Sequence, residues 1–438
     1  MSDDDEDEEG RRGNPVPARS LLLSNSTKGA ARLNVPVRRP NHYQQTLTTM
    51  RGSNTTVVTT ETRTREEFTP SVCNGSDKRR VINGTGASIS GKTPGYKPEI
   101  VWRNVIIFVY VHVCAVYAVY LGFTKTKGAT LLFGYLVASC GGFGITAGAH
   151  RLWAHKSYKA TWQLRVILAI FQTIAFQNHI YEWSRDHRVH HKFSETDADP
   201  HNAKRGFFFS HVGWLLMKKH PDVINKGRKV DMSDLEEDPV VVFQRKYYLI
   251  LMPLLTFVLP TIVPIYLWNE DPWVSWYTCL LRWVLGLNFT WLVNSAAHMW
   301  GNKPYDRNIS PAENPLVAFL AYGEGWHNYH HVFPYDYKTS ELVFTINAAT
   351  IFINFFALFG WAYDLKTISK ETIMKRVGRT GDGSHKAYEN NNITQIINDL
   401  HSESKENVWG WGDEDMKEED YKCVEIVDKT GHGKLSKN

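Results

Sequence analysis

Four long apolar runs, set in two close pairs, constrain this chain more than any other feature. The first runs from about Val105 to Phe123 and, after the turn Thr-Lys-Thr-Lys-Gly, the second runs from about Ala129 to Ala149. Each approaches the roughly 20 residues that a bilayer core requires. Backbone in hydrocarbon must satisfy its own hydrogen bonds, so such runs fold as helices. The third begins near Tyr247, and Pro253, Pro260 and Pro264 should kink it, which neighbouring helices tolerate by re-satisfying the freed backbone. After Asn-Glu-Asp-Pro the fourth runs from about Trp273 to Val293. Arg282 interrupts it, and a charge at that depth should face the protein interior. The expectation is an all-α fold with four transmembrane helices in two hairpins.

Two further apolar segments are shorter or weaker. Leu164–Gln177 is too short to span and reads as interfacial. Leu342–Trp361 is long enough, but Asn347 and Asn354 weaken it, so it reads as a helix lying on the membrane. Within the second run, Gly144 and Gly148 make a small-xxx-small pair that allows close helix packing. Outside the apolar middle the chain is polar. Residues 1–95 are rich in Ser, Thr, Asn, Gly and Arg and read as a disordered tail, and residues 371–438 read as a polar tail, leaving a domain at 96–370. The acidic start is the opposite of a basic signal-peptide n-region, so insertion would depend on the internal runs. The formal net charge of +5 comes without a basic stripe or RNA-binding motif, which excludes nucleic acid as a partner. The five cysteines, Cys73, Cys114, Cys140, Cys279 and Cys423, form no Cys-x-x-Cys pair, so a disulfide framework is not expected.

Most of the histidines between the runs stand in three boxes. They are His150-Arg-Leu-Trp-Ala-His155, His187-Arg-Val-His190-His191 and His327-Asn-Tyr-His330-His331, and His298 follows in Asn294-Ser-Ala-Ala-His298. Imidazole suits iron, copper, nickel and zinc. A structural zinc site needs four ligands, usually with cysteines among them, and no box contains a cysteine. Nine imidazoles therefore point to a pair of transition metals. Residues at i, i+3 and i+4 share a helix face, so His187, His190 and His191 can point at one place, and so can His327, His330 and His331. His150 and His155 are spaced i, i+5, which turns their rings apart on an ideal α-helix. They should straddle a helix end or serve different metals.

Each hairpin returns the chain to its starting side, which puts all nine histidines on one side of the bilayer. Lys156, Lys159, Arg165, Arg185, Lys192, Lys204 and Arg205 follow the second run, and Arg79, Arg80, Lys92, Lys97 and Arg103 precede the first. By the positive-inside rule that side is cytosolic, although Lys125 and Lys127 in the first turn count against it. The sequons at Asn25, Asn54, Asn74 and Asn83 would matter only in a lumenal tail.

The boxes, the Asn-Ser-Ala-Ala-His of the fourth run and the four-run layout resemble the membrane acyl-CoA Δ9-desaturases of animals, the stearoyl-CoA desaturase family. The likeness runs from about Tyr96 to Lys370. It includes Val101-Trp-Arg-Asn, Gly144-Ile-Thr-Ala-Gly-Ala-His-Arg-Leu-Trp, Ala198-Asp-Pro-His-Asn, Arg205-Gly-Phe-Phe-Phe-Ser-His-Val-Gly-Trp-Leu-Leu and Gly323-Glu-Gly-Trp-His-Asn-Tyr-His-His. The resemblance implies four transmembrane helices in two hairpins with a cytosolic helical cap that holds a histidine-rich di-iron site. It implies two Fe2+ ions, O2 as co-substrate, and His150, His155, His187, His190, His191, His298, His327, His330 and His331 as ligands, with Asn294 reaching one iron through water. Glu324 would orient a ligand ring. Asn104, Asn178, Arg185, Asp186, Lys218, Lys219 and Trp291 match positions that hold the coenzyme A head and the start of the acyl chain. Lys218 departs from the usual arginine, keeping charge but losing bidentate geometry. His179 stands where the family has aspartate and reads as surface or substrate rim, while His201, His211 and His220 read as structural. The acyl tunnel would end at Ala138 and Gly142, where mammalian members resemble tyrosine and alanine, so a deeper tunnel favouring C18 or longer chains over C14 is expected. The His-Pro-Gly-Gly haem motif is absent, so electrons would come from a separate cytochrome b5 and its NADH-dependent reductase. The implied location is the endoplasmic reticulum membrane with both termini cytosolic. Two other readings remain: a related membrane lipid hydroxylase or desaturase, and a catalytically silent membrane scaffold.

Overall fold

The computed structural model describes residues 96–341, 347–389, 407–427 and 433–435. The expected N-terminal tail and every sequon named above lie outside them. Among the described residues, three continuous helical stretches are long and apolar enough to cross a membrane: Trp102–Thr124, Gly128–Ala154 and Pro239–Trp268. The first is α1 (Trp102–Thr124). The second is α2 (Gly128–Phe143), which runs on as a π-helix over Gly144–Ala154. After α3 (Trp162–Ala175) and α4 (Ile180–Lys192), the third joins α5 (Pro239–Pro253) and α6 (Leu259–Trp268) through a π turn at Leu254–Val258. The fourth expected span is α7 (Pro272–Asn294), which has 23 residues, the same length as α1. It is the least apolar of the four, carrying Arg282 and several tryptophans, and it is not among the three stretches that qualify by length and hydropathy.

The side chains of α1 are sorted as lipid, not water, would sort them. Its outward residues Ile106, Val109, Val113, Val116 and Phe123 are apolar and exposed, whereas Cys114, Ala115 and Ala118 are buried against α7. Small residues inside allow the backbones to approach. The turn between α1 and α2 meets the turn between α6 and α7. There Lys127 Nζ donates to the carbonyls of Trp268 and Asn269 at 2.9 and 2.5 Å, and the Trp268 indole donates to Thr130 Oγ1 at 2.8 Å.

The proline-rich third stretch is held from the side. Pro260 has no N–H, so the Thr256 carbonyl four residues earlier loses its helical donor. Arg282 supplies one instead, its Nη2 donating to Thr256 O at 2.6 Å. Arg282 is buried and faces the protein, as its position in an apolar run required.

Gly144 lets α3 lie directly on the π-helix. A Cβ at Gly144 would sit 2.1 Å from the Gln172 backbone nitrogen. Helix α3 also buries Leu164 and Leu168 completely, in a core shared with Ile180, Leu235, Val241 and Ile353. It is therefore a packed helix of the domain. The Leu342–Trp361 segment holds a shorter helix than expected, α8 (His327–Val332) being followed by α9 (Ala348–Leu358) of 11 residues, with residues 342–346 outside the described set. Asn347 starts it: its Oδ1 accepts from Thr350 N–H at 3.1 Å. The outer side of α9 is an apolar stripe of Ile351, Phe355 and Leu358.

The chain after 370 is more than a tail. Helix α10 (Lys370–Thr380) continues the domain, and strand Val424–Val427 pairs antiparallel with strand Leu365–Ile368, Leu365 facing Val427. Val424 and Met416 are buried beside Ile368, Ile373 and Val377. Polar composition in this region hid a few apolar anchors at strand and helix spacing.

Candidate metal centre

The first histidine box lies at the end of the π-helix, and this resolves its spacing. A π turn closes i→i+5, one residue wider than an α turn. The His155 N–H donates to the His150 carbonyl at 3.0 Å, so residues five apart are stacked along the axis and both rings reach the same place. Of the two arrangements expected for this pair, the helix end is the one found; His155 is the residue that caps it.

The nine imidazoles form two groups. His150, His155, His187, His191 and His330 make the first, and His190, His298, His327 and His331 the second, with ligand atoms in each within 4.8 Å of one another. Neither triplet converges on one point. In α4 the i, i+4 pair His187 and His191 serves the first group, and His190 serves the second. In α8 the i, i+4 pair His327 and His331 serves the second group, and His330 the first. Positions i and i+4 sit about 40° apart around a helix, whereas i+3 lies about 60° from i on its other side and so about 100° from i+4. A helix wedged between two centres therefore divides its triplet two and one. The relation was written in the spacing, but choosing it needed both helices in place.

Outward ring nitrogens are held by residues of several elements. The Glu324 carboxylate lies 3.0 Å from His150 Nδ1 and pairs with Arg151 at 2.9 Å. His190 Nδ1 donates to Asp199 at 2.8 Å, and Glu195 stands 3.6 Å from His298 Nδ1. His155 Nδ1 donates to the backbone carbonyl of Trp409. Glu324 was expected to orient a ring; Asp199, Glu195 and Trp409 were not. The acidic run Glu195-Thr-Asp-Ala-Asp199 just past the second box was a signal for the first two. Two fully buried arginines brace the site. Arg188 donates to the carbonyls of Trp153 and Ala154 at 2.7 and 3.0 Å, at the π-helix C-terminus where a cation is favourable. Arg151 reaches Tyr337 O, Thr350 Oγ1 and Asn347 Oδ1.

With Nδ1–H committed outward, the Nε2 atoms of His155 and His190 present lone pairs to the interior, since a neutral imidazole has one donor and one acceptor. His155 Nε2 lies 2.9 Å from His187 Nε2, and His190 Nε2 is buried without a partner. In the first group the Nε2 atoms of His191 and His150 each lie 3.0 Å from that of His330. One N–H at His330 can serve only one of them. Burial, and after it the neighbouring rings, hold His155, His187, His191, His327, His330 and His331 well below the ordinary imidazole range. Neutral imidazoles with converging lone pairs are the donor set that a transition-metal cation satisfies. Burial opposes ionisation of Glu324, but the Arg151 guanidinium beside it brings its carboxyl below the usual range, so it stays an anion.

The other histidines have local roles. His179 caps α4, its Nδ1 accepting from Glu182 N–H at 3.1 Å, and is half-buried. His220 caps a short helix at Asp222, and His211 bonds Ser295 and Asn288. His201 is buried and pushed down to about 3 by burial and then by His190.

A cavity of about 320 Å³ ends on the histidines. It runs beside α2 and the π-helix from Leu131 through Tyr135, Ala138 and Gly142 to His150, and its wall includes His187, His327 and Asn294. Its lining is mostly apolar; Trp183, stacked on His187 with centroids 4.9 Å apart, adds a flat face. Ala138 leaves space in the wall. Gly142 does not. A Cβ there would meet the Tyr322 ring at 2.3 Å, so Tyr322 fills the notch that the glycine opens, with its hydroxyl 3.3 Å from Ser139 Oγ. The expected gain of volume at Gly142 is thus taken up by a residue 180 positions away in sequence, which is itself held at φ 58°.

Among the expected head-group residues, Arg185, Asp186 and Lys219 form one cluster with Glu182: Arg185 meets Asp186 at 2.8 Å, and Lys219 meets Asp186 and Glu182 at 2.5 and 3.1 Å. Lys218 turns elsewhere and pairs with exposed Glu99 at 2.5 Å. Asn104 donates to the Leu215 carbonyl at 2.7 Å, Trp291 is buried between Phe108, His112 and His211, and Asn178 is exposed in a left-handed turn.

An apolar helical bundle with two groups of imidazoles at the end of an apolar cavity defines a class: a membrane-type scaffold whose histidine groups could hold metal ions. The fatty acid desaturase family model matches residues 126–344. The chain is 60% identical over 327 residues to the acyl-CoA Delta-9 desaturase of Acheta domesticus, covering 74% of this chain and 85% of that one. It is 56% identical over 326 residues to the acyl-CoA Delta12-desaturase of the same species, with coverage of 74% and 85%. To the human stearoyl-CoA desaturase 5 it is 56% identical over 314 residues, covering 70% and 95%. The chain belongs to the fatty acid desaturase family and is an oxidoreductase.

Proposed function

We propose that this desaturase introduces a cis double bond at the Δ9 position of saturated fatty acyl-CoA thioesters, for unsaturated fatty acid biosynthesis. It consumes O2 and two electrons from a separate cytochrome b5 and its NADH-dependent reductase. The observation that carries the reading is the apolar cavity that ends on two histidine groups. An extended acyl chain lying in it would present its methylenes to them. The reaction removes two hydrogens from adjacent methylenes, and with two electrons and two protons the O2 leaves as two waters.

The groups of five and four histidines are the ligand set for two Fe2+ ions, and Asn294, on the cavity wall with His327, would reach one of them through water. Iron held there supplies the oxidising power that no side chain has. The chain's own residues do the rest. Glu324, Asp199 and Glu195 orient rings and offset positive charge. The apolar wall of Leu131, Ala138, Ile145 and Phe289 excludes water and aligns the chain. Arg185 and Lys219 offer cations to the coenzyme A phosphates, with Asp186 and Glu182 setting their positions. Lys218, Asn104, Asn178 and Trp291 complete the acyl-CoA path, which runs past Gly142 and Ala138 toward Leu131.

The same reading makes the protein multi-pass in the endoplasmic reticulum membrane, with α7 as the fourth span and the termini and metal centre cytosolic. The meeting of both hairpin turns at one end supports it, as does the clustering of Lys and Arg beyond the other.

Expression in a yeast lacking its own desaturase, followed by mapping of double bonds in its lipids, tests the function. A Δ9 product is expected. Relatives at 56% and 51% identity are named Delta12 and Delta(11) desaturases, so bonds at those positions would overturn the regiochemistry alone. A hydroxylated product would favour the lipid hydroxylase reading. A folded protein without iron or product would favour the silent scaffold.

A further inference from the structure

We propose that the C-terminal segment Val408–Asp415 is a clamp on the five-histidine group, and that retention of iron by that group, but not by the other, depends on it. The proposal rests on the reading that both groups hold iron. The segment lies 254 positions from His155, yet grips it on two sides. The Trp409 carbonyl accepts from His155 Nδ1, which aims Nε2 inward, and the Trp411 N–H donates to the His155 carbonyl at 2.9 Å. Between them Gly410 lies so close that a Cβ would be 2.6 Å from the His155 carbonyl oxygen and 2.7 Å from its Cα.

The grip extends to the residues that follow other members of the same group. Trp409 is buried, and its ring carries the Arg188 guanidinium at 4.0 Å and the Lys156 ammonium at 5.2 Å. Asp413, also buried, accepts from Trp409 N–H at 2.8 Å and from Lys192 Nζ at 2.9 Å, and Asp415 meets Lys192 at 2.7 Å. Lys156, Arg188 and Lys192 directly follow His155, His187 and His191. One segment therefore fixes three of the five rings through their neighbours. The second group draws its outward contacts from elsewhere, His190 from Asp199 and His298 from Glu195. Trp409 is thus a positioning residue that acts through its carbonyl, and Gly410 is what lets that carbonyl approach.

The test compares the purified full-length protein with Gly410→Val and Asp413→Asn. Iron per chain is measured by mass spectrometry, and its release into a ferrous chelator is followed in time, with thermal melting in detergent as a check on folding. Loss of an outer contact typically weakens metal retention 10–100-fold. One of the two iron equivalents should leave at least about tenfold faster in the variants, while the other keeps its wild-type rate. Asp413→Asn keeps the backbone of the clamp and reads the effect if Gly410→Val does not fold. Two irons with unchanged release in a folded variant, or equal acceleration of both, overturns the clamp. Failure of the wild-type chain to hold two irons would instead overturn the metal reading itself.

Discussion

At the residue scale the site separates histidines that converge from histidines that serve the backbone. Removing His190 or His331 takes a donor from a buried group, and replacement of either by alanine should abolish desaturation and lower iron content. His179→Ala removes only a helix cap, a loss of about 1 kcal/mol, and should leave substantial activity. Product analysis of membranes expressing each variant checks this, and full activity in His190→Ala would sink the ligand assignment. Tyr322 defines the second residue-scale question. It fills the notch at Gly142, so Tyr322→Ala should deepen the cavity, while Ala138→Tyr should shorten it. Each buried methylene is worth roughly 0.8 kcal/mol, about fourfold in preference. The C18-to-C14 product ratio should rise in the first variant and fall in the second; an unchanged ratio in both would place the closed end elsewhere.

At the element scale, the fold relies on places where regular helix geometry is broken and repaired. The π-helix stacks His150 with His155. The π turn at Leu254–Val258, next to Pro260, frees the Thr256 carbonyl for Arg282. The strand Leu365–Ile368 carries a less favourable element, Lys366, which is buried and pushed down to about 8 by burial. Its ammonium lies 5.2 Å over the Trp411 ring. In the unfolded chain the same lysine titrates near its ordinary, higher value, so the folded state binds fewer protons between the two. Stability should rise with pH from about 8 upward through that window, and the burial penalty is fully present below it. Lys366→Met should remove this slope and raise the melting temperature most at neutral pH. Equal slopes in melting scans of variant and wild type would show that the charge is better solvated than its burial indicates.

At the scale of the whole molecule, lipid and protein divide the surface between them. The exposed face of α1 and the outer stripe of α9 are both apolar, which suits a bundle sunk in a bilayer with α9 along its boundary. The prediction at this scale is topological. Under the proposed layout, in which both hairpins return to the cytosolic side, Asn25, Asn74, Asn83 and Asn392 should stay unmodified although each begins a sequon. A glycosidase-sensitive mobility shift traced to any one of them would reverse the layout.

The sequence by itself determined the apolar runs, the nine histidines and the inward charge of Arg282, because each is a local consequence of composition and spacing. It also carried the family, through motifs that extend well beyond the boxes. Only the tertiary structure decided how the triplets divide, since i and i+3 can serve one centre or two until a second helix fixes where the centres lie. The same holds for the π turn at the first box, because nothing in Gly144–Ala154 distinguishes an i→i+5 ladder from an α-helix until Gly144 seats against α3. Tyr322 and Trp409 were beyond local reading for a simpler reason. Their contacts with Gly142 and His155 join residues far apart in the chain, and such contacts exist only once packing has brought the elements together.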